Sequence, residues 1–167
     1  MVKIISLTQG KVALVDDEDY EELNKNKWCA WKNSDGTFYA VRGVRKNKKM
    51  IIFRMHREIM NAPKGMDVDH INHDGLDNRR CNLRICTHSQ NLRNCKQHKN
   101  NTSGLRGVSW DIRANKWRGH ICKNNKTIYL GLFSDKIEAG HMVDQYAMEL
   151  FGEFAVLNFP DDVEVEK

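Results

Sequence analysis

Between Met66 and Asn91 the chain gathers three His, four Asn, four Asp and three Arg into 26 residues, and few backbones can accommodate that pattern. Asp67-Val68-Asp69-His70-Ile71 alternates polar and apolar side chains as a half-buried strand does, and Leu83 with Ile85 offers a second strand. Asn72, Asp74, Gly75, Asp77 and Asn78 lie between them as turn formers. Thr87-His88-Ser89-Gln90 then fits a capping box, with Thr as N-cap and Gln three residues on. The order is strand, long loop, strand, helix. A helix packed across such a hairpin brings Asn91 toward Asp69 and His70, so two oxygen donors and one imidazole converge. By contrast, His56 reads as a structural neighbour of this stretch, and His73, His88 and His98 as solvent-facing.

The net charge of +5 on 167 residues hides an uneven distribution. From Arg42 to Lys126 there are 20 Lys and Arg against 6 Asp and Glu, so a basic middle lies between acidic flanks. Such a body suits a polyanion, most simply nucleic acid. Cys29, Cys81, Cys86, Cys95 and Cys122 are odd in number and contain no C-x-x-C pair, which fits reduced thiols better than a disulfide framework or a zinc ribbon. No apolar run approaches the roughly 20 residues of a membrane helix, and the N-terminus lacks a signal-peptide core. The expectation is a cytoplasmic protein with no membrane partner and no small-molecule cofactor.

Three parts follow along the chain. Residues 1–49 read as β-rich: Val2 to Leu7 and Val12 to Val15 are β-branched runs around Gly10, a charged helix starts at Asp16-Asp17, and "WCAW" and "TFYAVRGV" are further strands, with "MIIFRMH" the strand that follows from Met50. Residues 50–95 hold the polar cluster. A linker is expected at 96–103. From 104 to 160, "LRGVSW", "KWRGHIC" and "KTIYLG" are strand candidates joined around Arg113 to Asn115 and at Asn124-Asn125. A helix capped by Ser134 and ended by Gly152 follows them, and 161–167 is an acidic tail.

The string "VDHINHDGLDNRRCNLRICTHSQN" resembles the HNH nuclease signature, in the Asp-His…Asn…Asn form of phage and intron-encoded homing endonucleases. "MHREIMNAPKG" resembles the segment that precedes it. The resemblance implies His70 as general base, Asp69 and Asn91 as metal ligands, and Asn82 as the residue that spans the loop and orients the base. A carboxylate and an amide oxygen make a hard site, so Mg²⁺, with Mn²⁺ as substitute, is the implied cofactor. Arg79, Arg80, Arg84 and Arg93 are candidate phosphate-binding residues.

A second resemblance covers Gly104 to Pro160. "GVSW…KWRGHI…YLGLFSDKIEA…FGEFAVLNFP" is similar to the AP2/ERF DNA-binding domain, in which a three-stranded sheet packed on one helix presents its outer face to the major groove. Alternation puts Arg106, Val108 and Trp110 together on that outer face, and Trp117, Ile121, Ile128 and Leu130 against the helix. The expected DNA-facing residues are Arg106, Trp110, Arg113, Arg118, His120 and Tyr129.

The expected fold is therefore α+β: a β-rich N-terminal region, a ββα-metal nuclease module and a sheet-on-helix module. The expected function is a site-specific homing endonuclease that cuts double-stranded DNA to 5′-phosphate and 3′-hydroxyl ends, with a monomer favoured. The competing expectation is a DNA-binding regulator that keeps the module only as scaffold.

Overall fold

The structure, a computed structural model, describes residues 1–94, 100–124 and 126–162. Cys95, half of the expected linker, Asn125 and most of the acidic tail lie outside that range. Helices and small antiparallel sheets mix throughout, so the chain is α+β. It divides into two units, Met1–Leu92 and Arg93–Lys167.

The first unit begins with a hairpin of β1 (Val2–Ser6) and β2 (Val12–Asp16), which buries Ile5, Ala13 and Val15 on one face and exposes Ile4 and Val12 on the other. Helix α1 (Asp17–Asn24) follows with Asp17, Glu18 and Asp19 in its first turn, where acids complement the helix dipole. β3 (Cys29–Lys32), β4 (Phe38–Lys46) and β5 (Lys49–Arg54) form an antiparallel sheet in that order. The short helix α2 (Met55–Ile59) turns the chain into β6 (Asp67–His70), which pairs with β7 (Leu83–Cys86), and α3 (His88–Asn91) lies against both strands. None of these sheets is large enough to make a core alone. Ile5, Val15, Trp28, Ala40, Met55, Val68 and Leu83 instead share one cluster. The regions 1–49 and 50–95, expected as separate parts, are thus joined by a common interior, because each strand pair supplies only one apolar face.

In the second unit β8 (Val108–Asp111), β9 (Lys116–Lys123) and β10 (Lys126–Phe133) form a sheet with β9 central, packed on α4 (Lys136–Phe151). Its core is Val108, Ala139 and Val143 with Leu105, Trp117, Leu130 and Phe133 around them. Gly140 lies so close to its neighbours that a Cβ there would meet the Phe159 ring at 2.7 Å. The helix N-cap is Asp135, whose carboxylate accepts from the Glu138 amide, and not the expected Ser134. Midway along the helix buried Asp144 accepts from the Asn158 and Phe159 amides at 2.8 Å each, which fastens the C-terminal segment to the helix. Part of the expected linker is ordered within this unit: Asn101 Oδ1 accepts from the Ser103 amide, and Asn101 Nδ2 donates to the Leu105 carbonyl.

Candidate functional site

The β6–β7 hairpin sets the site. Its register pairs Asp67 with Cys86, Val68 with Ile85, Asp69 with Arg84 and His70 with Leu83. Strand alternation then sends Val68 and His70 to one face and Asp67 and Asp69 to the other. His70 is 6% exposed. Its ring stands edge-on to His56 at 4.9 Å and tilted to Tyr39 at 5.8 Å, and its Nε2 lies 3.4 Å from Asn78 Oδ1. Burial pulls the His70 pKa below the usual imidazole value, against the opposing pull of Asn78 and Asp69. The imidazole is therefore neutral at neutral pH. Where Nε2 donates to Asn78, the lone pair sits on Nδ1.

The loop after His70 is held by its own amides. Asn82 Oδ1 accepts from the Asn72 amide at 3.0 Å, Asn82 Nδ2 donates to the Asp77 carbonyl at 2.8 Å, and the Asn82 carbonyl accepts from the Ile71 amide at 2.9 Å. The middle Asn thus spans the loop beside His70. Asn78, expected as a turn former, is fully buried, and its side-chain amide donates to the Leu76 carbonyl. Leu14 of β2 donates to the Leu76 carbonyl and accepts from the Asn78 amide. Gly75 sits where a Cβ would meet the Phe38 carbonyl oxygen at 2.4 Å. The N-terminal sheets are therefore the mould in which this loop sets.

Helix α3 begins with the expected capping box: Thr87 and Gln90 exchange side chain and backbone bonds. Asn91 Nδ2 donates to Asp67 Oδ2 at 3.2 Å, and His88 Nδ1 lies 3.0 Å from the same oxygen. These two neighbours, His88 first, hold the Asp67 carboxyl below the usual range. Asp69 is engaged by Arg84 at 2.9 Å. The carboxylate paired with Asn91 is thus Asp67, one strand period before the Asp-His dipeptide, and strand alternation was the signal that could have drawn attention to it. Asp67, Val68 and Asn91 line an open groove of about 250 Å³ with Trp31, Tyr39, Arg54, His56 and Arg57. His56, read as structural, is buried there with Nδ1 unpaired, and its pKa is lowered to about 3 by burial first and then by His70 and the nearby arginines.

The oxygens of Asp67, Asp69 and Asn91 are hard donors. Among the described residues no three His, Cys, Asp or Glu side chains cluster closely enough to hold a metal by themselves. A cation here would draw much of its shell from water and phosphate, which is how Mg²⁺ binds. The donor chemistry fits a divalent cation of that kind.

The arginines divide. Arg79 forks onto Asp77 at 2.7 and 2.6 Å. Arg80 reaches Asp19 and Glu18 of α1, while its amide donates to Asp16. Both thereby tie the loop down, and Arg84 neutralises Asp69. Arg93 lies over the Phe151 ring at 4.2 Å, in the second unit. Two groove cations were not foreseen, Arg54 and Arg57, and Arg57 donates to the Met66, Ala62 and Pro63 carbonyls.

In the second unit the first strand has the opposite parity from that expected. Val108 is buried in the core, and Trp110 is on the same, helix-side face, edge-on to Trp117 at 5.0 Å. Arg106 precedes the strand, where its amide donates to Asn158, and Arg113 is in the β8–β9 turn. Gly107 at φ +71° breaks the chain just before Val108, so counting alternation from Arg106 runs out of phase. Arg118, His120 and Tyr129 do share the outer face, with Ser109 opposite Arg118 and Tyr129 opposite His120. His120 Nδ1 is buried there without a partner, and burial, then Arg118, keeps its pKa low.

The HNH endonuclease family profile matches residues 60–93, from the end of α2 through α3. A protein of Escherichia phage T7, named Protein 3.8, is 34% identical over 107 residues, covering 61% of this chain and 88% of that one. The chain carries an HNH endonuclease segment at residues 60–93. An uncharacterized HNH endonuclease of Acanthamoeba polyphaga mimivirus is 29% identical over 150 residues, covering 90% of this chain and 76% of its own length. The HNH match falls on the elements that carry His70, Asn82 and Asn91, and its N-terminal edge lies just behind His56.

Proposed function

We propose that the chain is a metal-dependent, site-specific DNA endonuclease of the homing type. The observation that carries this reading is the state of His70: buried, neutral and fixed by Asn78 and the Asn82-spanned loop. A general base must be unprotonated and pre-oriented, and it is both. His70 takes a proton from the attacking water, and Asn82 holds the backbone beside it. Asp69 and Asn91 would hold Mg²⁺ or Mn²⁺, with Asp67 the carboxylate that orients Asn91. Such a cation, when bound, neutralises charge on the phosphate and the departing 3′ oxygen. Arg84 balances Asp69 and Arg57 donates to backbone carbonyls, so Arg54 is the groove cation assigned to phosphate.

The second unit is the proposed address reader, an AP2-like module whose outer face carries Arg118, His120 and Tyr129 toward the bases. A hairpin nuclease reads phosphate geometry more than sequence, so discrimination has to come from outside it. The test is incubation of purified protein with supercoiled plasmid and Mg²⁺, with and without EDTA, beside His70→Ala. Open-circular or linear product that needs both the metal and His70 is expected. Plasmid that stays supercoiled while the protein still binds it would sink the nuclease reading in favour of a regulator.

A further inference from the structure

Beyond Val41, β4 loses its neighbour on one side. β3 pairs with β4 only from Cys29↔Val41 to Lys32↔Phe38, whereas β5 follows β4 from Val41↔Arg54 to Lys46↔Lys49. The last five pairs, Arg42↔Phe53 to Lys46↔Lys49, are a two-stranded ribbon roughly 14 Å long at the usual strand rise. It closes through Asn47 and Lys48 at φ +49° and +60°, a tight turn that matches the natural twist of the strands.

Every residue from Gly43 to Ile52 is exposed, including Val44, Met50, Ile51 and Ile52, and Met50 reaches 63%. Gly43 makes room for two of these: a Cβ there would meet Met50 Sδ at 2.9 Å and Ile52 Cδ1 at 3.6 Å. From Gly36 to Arg57 there is no Asp or Glu. Among the described residues Arg45, Lys46, Lys48 and Lys49 have no carboxylate in ion-pair range.

The ribbon is continuous with the groove. The register puts Met50, Ile52 and Arg54 on the same sheet face as Tyr39 and Trp31, and Arg54, Tyr39 and Trp31 line the groove with Asp67 and Asn91. An apolar stripe therefore leads from the proposed reaction centre to a cationic tip. We propose that the β4–β5 ribbon is a DNA-reading element that enters the major groove of the duplex beside the phosphate held at the groove lined by Asp67 and Asn91. It rests on the reading of that groove as a DNA nuclease site.

A two-stranded ribbon fits the major groove, about 12 Å wide, and not the minor groove at about 6 Å. The tip lysines meet phosphate, and Met50 and Ile52 meet apolar base edges such as thymine methyl groups. A second copy of the chain is the other occupant that an open edge strand invites. Charge argues against it, since antiparallel pairing of β5 with itself sets Lys49 against Arg54 with no acid between them.

The test uses the full chain. With a fluorescent mixed-sequence duplex, lysine acetylation read by mass spectrometry should show Lys46, Lys48 and Lys49 protected and Lys25 unprotected. In the His70→Ala background, which keeps the duplex intact, adding K46A, K48A and K49A should make the slope of log affinity against log salt shallower by about 0.9 for each phosphate no longer neutralised. M50S with I52S should alter preference among duplexes and leave the slope alone. Overturning results are an unchanged slope without protection in a chain that binds and cuts plasmid, or protection that depends on protein concentration alone, which assigns the ribbon to a second copy. A parent chain that neither binds nor cuts overturns the nuclease reading and this one together, so the two failures are distinguishable.

Discussion

His70 and His56 make the site pH-sensitive in the same sense. Burial lowers both pKa values, so both side chains bind fewer protons folded than unfolded. For stability the sign follows: it is full above the unfolded value near 6.5 and is lost as pH falls toward the folded values. His56, at about 3 when folded, should alone cost about 2 kcal/mol of stability by pH 5. Thermal unfolding from pH 7.5 to 5 checks this, and a flat profile refutes it. Catalysis responds in the same direction. Because the His70 pKa lies below the ordinary value, single-turnover cleavage should hold steady through neutrality and fall only in acid, and His70→Ala should lose roughly 10²- to 10⁴-fold in rate with affinity little changed. Asn91→Ala should instead shift the metal requirement, so that added Mg²⁺ or Mn²⁺ recovers part of the rate. No recovery at any metal concentration would show that Asn91 is not a ligand.

At the scale of the element, α3 and the 71–82 loop depend on different supports. Helix α3 is only four residues long, too short to persist on propensity, and it starts from the Thr87–Gln90 capping box. Thr87→Ala should remove about 1 kcal/mol and loosen the helix that carries Asn91. The expected readout is a higher metal concentration for half-maximal cleavage with the same limiting rate. The loop rests on β2 and β4. Gly75→Ala places a methyl 2.4 Å from the Phe38 carbonyl, a backbone atom that has nowhere to go, and should cost roughly 1 to 3 kcal/mol in a denaturant melt. An unchanged midpoint would mean that the loop does not pack on the sheet as described.

At the scale of the whole molecule, the boundary at Leu92 and Arg93 separates chemistry from the proposed address. A fragment of Met1–Leu92 contains the complete hairpin, loop and helix and should keep metal-dependent cleavage, with weaker binding and a shallower salt slope. The fragment from Arg93 should bind duplex without cutting it. It needs to start there because Arg93 stacks on Phe151. If the first fragment keeps the full site preference and slope, the second unit is not the reader. Among the described residues no helix is long and apolar enough to cross a membrane.

The strand-loop-strand-helix order of residues 67–91 was legible in the sequence because it rests on local rules: alternation, turn formers and a capping box act within a few residues of themselves. The same holds for the three strands and one helix of the second unit. What the sequence could not reveal is what depends on distant partners. Asn78 and Gly75 resemble ordinary loop residues until Leu14, Phe38 and Tyr39 close around them. Arg80 resembles a free cation until Asp19 and Glu18 of α1 take it. His56 becomes part of the site only when α2 brings it to His70. The phase of β8 was lost at a single residue, Gly107, whose positive φ interrupts the alternation that the count relied on. Local chemistry determined which elements form and which residues can do chemistry. Only the tertiary structure decided which carboxylate meets Asn91, because an ion pair or a buried amide is chosen by proximity in space, and the chain order does not encode that proximity within any short window.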